Sequence, residues 1–194
     1  SLQVLPNGLK LVLVPDDHVE SVCFGLFVES GSRHELPEYA GISHLIEHML
    51  FKGTKTRSAL EISQAIEGRG GNFNAYTCEE STCFFAYMPY DALPTAVDII
   101  CDMYANPAIP DGEFERERHV VLEEIKMYGD EPDSVASENL SRALFPKNAL
   151  GLPIAGEAAT LDKMTPQTLR DYIRRAYVPR ATVAVVAGRF DPAE

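Results

Sequence analysis

The sequence predicts an α+β fold, a mixed and largely antiparallel β-sheet with helices packed on one face. Three observations carry this prediction. Apolar residues recur with period two near the start of the chain, a continuous apolar run closes it, and the long stretches between largely follow the 3.6 period of helices. The 194 residues are 45% hydrophobic, enough for one well-buried core. No internal repeat, low-complexity tract or linker interrupts the chain.

Taken in order, Leu9, Leu11 and Leu13 alternate, and so do Val22, Phe24, Leu26 and Val28. Residues 9–30 therefore read as a strand, a connection and a second strand set to pair with the first, with Asn7-Gly8 turning into the run and Pro15-Asp16-Asp17 ending it. Ser30 to Tyr39 reads as a loop. Helical spacing then runs from Gly41 to about Phe51, and Ser58 caps a second helix reaching Glu67 through Leu60, Ile62, Ala65 and Ile66. Gly68, Gly70 and Gly71 stop it. Residues 71–78 and 82–89 form a predicted hairpin around Glu79-Glu80-Ser81, with Phe84, Phe85 and Tyr87 as core.

A helix from Asp91 to Tyr104 presents Leu93, Val97, Ile100, Cys101 and Tyr104 on one face, and a longer one runs from Asp111 to about Tyr128. After Gly129-Asp130-Glu131-Pro132 comes a helix from Ser134 to about Leu144, then a loop from Phe145 to Gly156. Two short helices capped at Thr160 and Thr165 follow, and the run from Ala181 to Ala187 closes the chain as a buried strand.

Seventeen Lys and Arg against 29 Asp and Glu leave a formal charge of -12, which argues against a nucleic-acid groove or an anionic membrane surface as partner. No apolar run approaches the roughly 18 residues of a membrane span, and the first residues lack the layout of a signal peptide. Any targeting segment is expected to have been removed. The four cysteines contain no CxxC pair, so neither a disulfide scaffold nor a cysteine zinc site is expected. The expected compartment is reducing and cytoplasmic, with periplasm or mitochondrial matrix open if a leader was cleaved.

The chemistry concentrates in Gly41 to Thr54, where H-x-x-E-H lies on a predicted helix. At about 100° per residue, His48 sits roughly 40° around from His44 and one turn along, so both imidazoles can meet one ion. A neutral His pair suits Zn²⁺, and Glu47 beside it can accept a proton from an acidified water. An open zinc site wants a third protein ligand. The helix from Asp111 offers Glu117 and Glu124, seven apart on a stripe with Val120 and Val121, although a charged segment of this kind is commonly a solvated face. His18, His34 and His119 are expected to be exposed.

These residues resemble a known family. G-x-S-H-x-x-E-H-M-x-F-K-G-T, preceded by Gly31-Ser32-Arg33 and followed from Glu117 to Ile125 by E-x-x-V-x-x-E-E-I, looks like the pitrilysin and mitochondrial processing peptidase family. Leu5 to Leu9, Gly71 to Thr77, Leu150 to Gly156 and Tyr177-Val178-Pro179 match it as well, so the likeness covers the whole chain. It implies the LuxS/MPP-like metallohydrolase fold and a zinc-dependent metalloendopeptidase acting on peptides or presequences. It also implies roles: His44, His48 and Glu124 as zinc ligands, Glu47 as general base, and Glu117 as a supporting glutamate. Glu123 competes with Glu124 for the third ligand, and only its phase speaks against it.

The resemblance further implies that an extended peptide pairs with an edge strand, here Asn72, Phe73, Asn74 and Ala75 on to Thr77. Family subunits hold two or four such domains, and this sequence stops at Gly188 to Pro192, where a first domain normally ends. Residues 1–194 are therefore expected to be a single N-terminal metallopeptidase domain. Its partner would be the C-terminal domain or another family subunit, as a homo- or hetero-dimer. The alternatives are a non-catalytic structural or assembly subunit, and a metalloenzyme of different chemistry such as the sulfur-ribosyl-cleaving lyase of related fold.

Overall fold

Among the described residues, six strands build one sheet: β1 (Leu2–Val4), β2 (Lys10–Pro15), β3 (Ser21–Val28), β4 (Asn72–Thr77), β5 (Thr82–Pro89) and β6 (Thr182–Gly188). The computed structural model describes residues 1–192. The sheet order is β1-β2-β6-β3-β5-β4, parallel between β2 and β6 and antiparallel elsewhere. Seven helices accompany it among the described residues: α1 (Ile42–Leu50), α2 (Ala59–Glu67), α3 (Leu93–Ala105), α4 (Asp111–Asp130), α5 (Pro132–Leu144), α6 (Ala158–Leu161) and α7 (Pro166–Ala176).

The expected pairing of the first two long strands is corrected. The closing strand β6 enters between β2 and β3. Its run is apolar at nearly every position, which suits a central strand flanked on both sides better than an edge. The connection from Asp16 to Glu20 is long enough to step over one strand at about 4.8 Å spacing. The short edge strand β1 was not foreseen, because three residues are too few to display a period.

Register then decides what is buried. Val22, Phe24, Leu26 and Val28 of β3 align with Ala184 and Val186 of β6 and with Phe84, Ala86 and Met88 of β5, and all lie in the core under the helices. The alternate residues point to the other face. There Phe85 is half-buried and Tyr87 is 55% exposed, so of the three β5 aromatics only Phe84 belongs to the core. In α3 the buried positions are Ala96, Ile99, Ile100 and Met103, rotated slightly from the expected face. In α4 Val121 is buried while Val120 is 44% exposed.

The caps at Ser58 and Thr165 form as expected, each accepting a backbone N–H three residues on. Thr160 is not a cap. It lies inside α6, whose N-cap is Glu157, and its hydroxyl donates to Ala40 O at 2.7 Å. The four cysteines are free thiols, and burial pushes the Cys83 thiol up to about 12.

The start of α1 fixes where the H-x-x-E-H side chains point. Gly41 has φ of 95°, and a Cβ there would meet Ala155 O at 2.6 Å, so both conformation and space require glycine. Glu35, only 5% exposed, accepts from Gly41 N–H and Ser43 N–H at 2.8 Å each. One carboxylate thus satisfies two of the donors left open where a helix begins. Burial pushes the Glu35 carboxyl above its ordinary range, while these donors act against that shift.

Glu35→Ala should therefore strand two buried N–H groups and cost about 2–4 kcal/mol in urea unfolding, with Glu35→Gln losing less. A change below about 0.5 kcal/mol for Glu35→Ala would show that the cap does not hold α1.

Candidate metal centre

Helix α1 buries Ile42, Leu45, Ile46, Met49 and Leu50 completely, which turns its remaining stripe toward α4. On that stripe the His44 and His48 rings lie 4.8 Å apart between centroids, edge to face. Glu124 of α4 meets them: its Oε2 is 3.7 Å from His44 Nε2 and 3.5 Å from His48 Nε2. Three ligand atoms, one from each residue, lie within 4.8 Å of one another.

Those separations are too long for hydrogen bonds and close to what an ion needs. Ligands about 2.0–2.2 Å from a tetrahedral zinc sit roughly 3.3–3.5 Å from each other. Two imidazoles and one carboxylate are also the donor set of an open zinc site. Burial, with His48 nearby, lowers the pKa of His44 to about 4, so at neutral pH its ring is uncharged and keeps a free lone pair. Its Nδ1 is buried without a hydrogen-bond partner. Glu123 points elsewhere, paired with Lys126 at 2.6 Å with its side chain 72% exposed.

Glu47 sits between the histidines in sequence and projects to their edge. The Thr77 hydroxyl, from the end of β4, donates to Glu47 Oε2 at 2.6 Å. Burial pushes the Glu47 carboxyl above its usual range against the pull of that bond, and Glu124 adds to the rise. Glu117 is 7% exposed and faces α1 from one turn-pair before Glu124. Its Oε2 accepts from His48 Nδ1–H at 3.2 Å, and its Oε1 meets Lys52 Nζ at 2.7 Å.

His44 and Glu47 open into a cleft of about 450 Å³ whose walls come from β4, α5 and the loop from Leu150 to Ala155. From β4 the cleft takes Ala75, Tyr76 and Thr77. Asn72 and Asn74 do not line it. The cleft meets only the Ala75 to Thr77 end of β4, and Asn74 Oδ1 accepts from Ala75 N–H at 2.9 Å. Phe73 packs on Phe51 at 5.3 Å between centroids. Of the four residues Asn72 to Ala75, Ala75 alone borders the cleft, while β4 as a whole is the sheet's edge strand.

Two contributors escaped the sequence reading. Thr77 is the third residue of the β4 face shared by Phe73 and Ala75, so its alternation could have pointed to it. Lys52 stood inside the F-K-G-T run, yet nothing local ties it to a glutamate 65 positions later. His18, His34 and His119 are exposed, as expected. Among the described residues no helix is long and apolar enough to cross a membrane.

Residues 11–158 match the family Insulinase (Peptidase family M16). The chain is 42% identical over 182 residues to the "Uncharacterized zinc protease YmxG" of Bacillus subtilis (strain 168), covering 94% of this chain and 44% of that protein. It is 34% identical over 190 residues to the mitochondrial-processing peptidase subunit beta of Blastocladiella emersonii, covering 98% and 41%. A protease from Helicobacter pylori has the same fold, with a TM-score of 0.95 at 23% identity over 100% of this chain and 47% of that one. The chain thus spans less than half the length of these relatives. By its family match and by its identity to zinc proteases over nearly its whole length, the chain belongs to the insulinase family of peptidases, M16.

Proposed function

We propose that this chain is the metal-binding part of a zinc-dependent metalloendopeptidase, with His44, His48 and Glu124 as zinc ligands and Glu47 as general base. The observation that carries the reading is the convergence of two Nε2 atoms and one carboxylate oxygen beside a second, hydroxyl-oriented glutamate, in a chain whose relatives are named zinc proteases. Bound zinc would supply Lewis acidity and lower the pKa of a water toward 7.

The rest is the work of this chain's own groups. Glu47 is the proton acceptor, and its raised pKa brings it closer to the neutral pH at which a general base works best. Thr77 fixes the direction in which its free oxygen points. Glu117 orients His48 and binds no ion itself. An extended peptide would add to β4 along Asn72 to Ala75 by main-chain hydrogen bonds, which makes binding tolerant of sequence. Glu79 and Glu138 in the cleft wall, with a net charge of -12, favour cationic peptides. Donors for the developing oxyanion and a wall that excludes water would come from a C-terminal domain or a partner subunit, since the relatives are more than twice as long.

Glu47→Gln should keep zinc and lose hydrolysis by about 10²–10⁴-fold, measured by metal analysis beside a quenched-peptide assay. Normal turnover in that variant would remove Glu47 from the role. Glu124→Gln should weaken zinc binding while Glu123→Gln leaves it unchanged, and the reverse pattern would move the ligand by one position.

The lowered pKa of His44 gives stability a pH dependence of definite sign. Its folded value lies below the unfolded value of about 6.5, so the stability it contributes is full above that pH and is lost as pH falls toward 4. The metal-free protein should lose up to roughly 3 kcal/mol across this window, and His44→Ala should flatten the dependence. An unaltered slope in His44→Ala would rule out this group as the cause.

The chain alone should bind about one zinc and cleave peptides poorly, because losing even one oxyanion donor costs roughly 10²–10³ in rate. A C-terminal family domain supplied in trans should restore turnover. Full activity from a monomer of this chain would overturn the division of labour.

A further inference from the structure

We infer that Lys52 is a positioning residue of the metal centre: it holds the Glu117 carboxylate in the orientation that fixes His48 with its Nε2 lone pair free for the ion. This rests on the reading of His48 as a ligand. The ammonium meets Glu117 Oε1 at 2.7 Å, and the other oxygen of the same carboxylate accepts from His48 Nδ1–H at 3.2 Å. The two carboxylate oxygens thus have separate partners, and the ring nitrogen that Oε2 engages is not the one that faces Glu124 at 3.5 Å. A neutral imidazole that donates from Nδ1 has its lone pair on Nε2.

The bland alternative is an ion pair that only fills space at the end of α1. Two features weigh against it. Glu117 is nearly fully buried, and a buried carboxylate without a counter-charge would swing toward water and cease to orient His48. The backbone that delivers Lys52 is also tied down on every side. Lys52 N–H donates to Met49 O at 3.1 Å, and Gly53 follows at φ of 119°, a conformation that side chains rarely adopt. Gly53 O accepts from Ala108 N–H at 3.1 Å, and Lys55 N–H donates to Asn106 O at 2.9 Å. The Thr54 hydroxyl and Arg57 both donate to Asp102 of α3 at 2.7 Å.

With its backbone held by these bonds, Lys52 starts from a fixed point, and its ammonium sits 2.7 Å from a carboxylate that is itself nearly fully buried, where an ion pair is screened less than at the surface. The two histidines differ in this respect. His44 Nδ1 is buried without a hydrogen-bond partner, so hydrogen-bonded control of ring orientation in the pair falls on His48.

The test uses the whole 194-residue chain with zinc alone as probe. Metal-free protein labelled with ¹⁵N at histidine reports the His48 tautomer by long-range ¹H–¹⁵N correlation at alkaline pH, where a free imidazole is neutral. Zinc affinity is read by competition with a chelator. The wild type should show the Nδ1–H tautomer. Lys52→Met should shift His48 toward a mixture and weaken zinc by about 10–100-fold, the range for losing an outer partner of a ligating histidine. Lys52→Arg, which keeps the charge and reach, should restore both. If Lys52→Met does not fold, Lys52→Gln is measured in its place with the same expectations. An unchanged tautomer and affinity, even with lowered thermal stability, would reduce Lys52 to a packing role and overturn the inference. Neither readout involves a peptide, so a shifted tautomer and weakened zinc with no hydrolysis in any partner context would support Lys52 while refuting the peptidase reading.

Discussion

The seating of α1 is the constraint on which the rest depends. This nine-residue helix has an apolar stripe wide enough to bury Ile42, Leu45, Ile46, Met49 and Leu50 against the sheet, and its first turn is anchored by the buried carboxylate of Glu35. Once that stripe is committed, the residues at positions 44, 47 and 48 have one direction left. They face α4 and the end of β4. Sliding or rotating α1 would expose fully buried side chains at roughly 1.5–3 kcal/mol each, so the imidazoles are held by the core rather than by each other.

Each polar group turned outward by α1 is then met from a distant part of the chain. Thr77 of β4 donates to Glu47, Glu117 of α4 accepts from His48, and Glu124 faces both rings. A half-buried carboxylate or imidazole that lacked such partners would leave a desolvated polar group unsatisfied. The partners differ in kind: Glu47 accepts from a hydroxyl, while Glu117 meets a lysine ammonium and a histidine ring.

The sheet supplies the remaining geometry through its order. With β6 inserted between β2 and β3, the hairpin of β4 and β5 is left at the far side, and β4 becomes an edge next to α1. Its alternation sends Phe73, Ala75 and Thr77 beneath the helix and Asn72, Asn74 and Tyr76 to the other face. The cleft therefore meets one strand edge on one wall and the polar residues of α5 on the other.

By itself the sequence determined whatever depends on neighbours within one or two turns. The phase of H-x-x-E-H on its helix, the caps at Ser58 and Thr165, the hairpin around Glu79-Glu80-Ser81 and the seven-residue spacing of Glu117 and Glu124 are all local, legible from the 3.6 and 2.0 periods and from the side-chain chemistry of caps and turns. The tertiary structure alone decided the position of β6, the exposure of Tyr87 and the meeting of Lys52 with Glu117. In those cases the deciding partner lies tens of residues away, and a backbone period carries no information about which distant surface a face will meet. Thr77 stands between the two, since its strand face was readable and its bond to Glu47 was not.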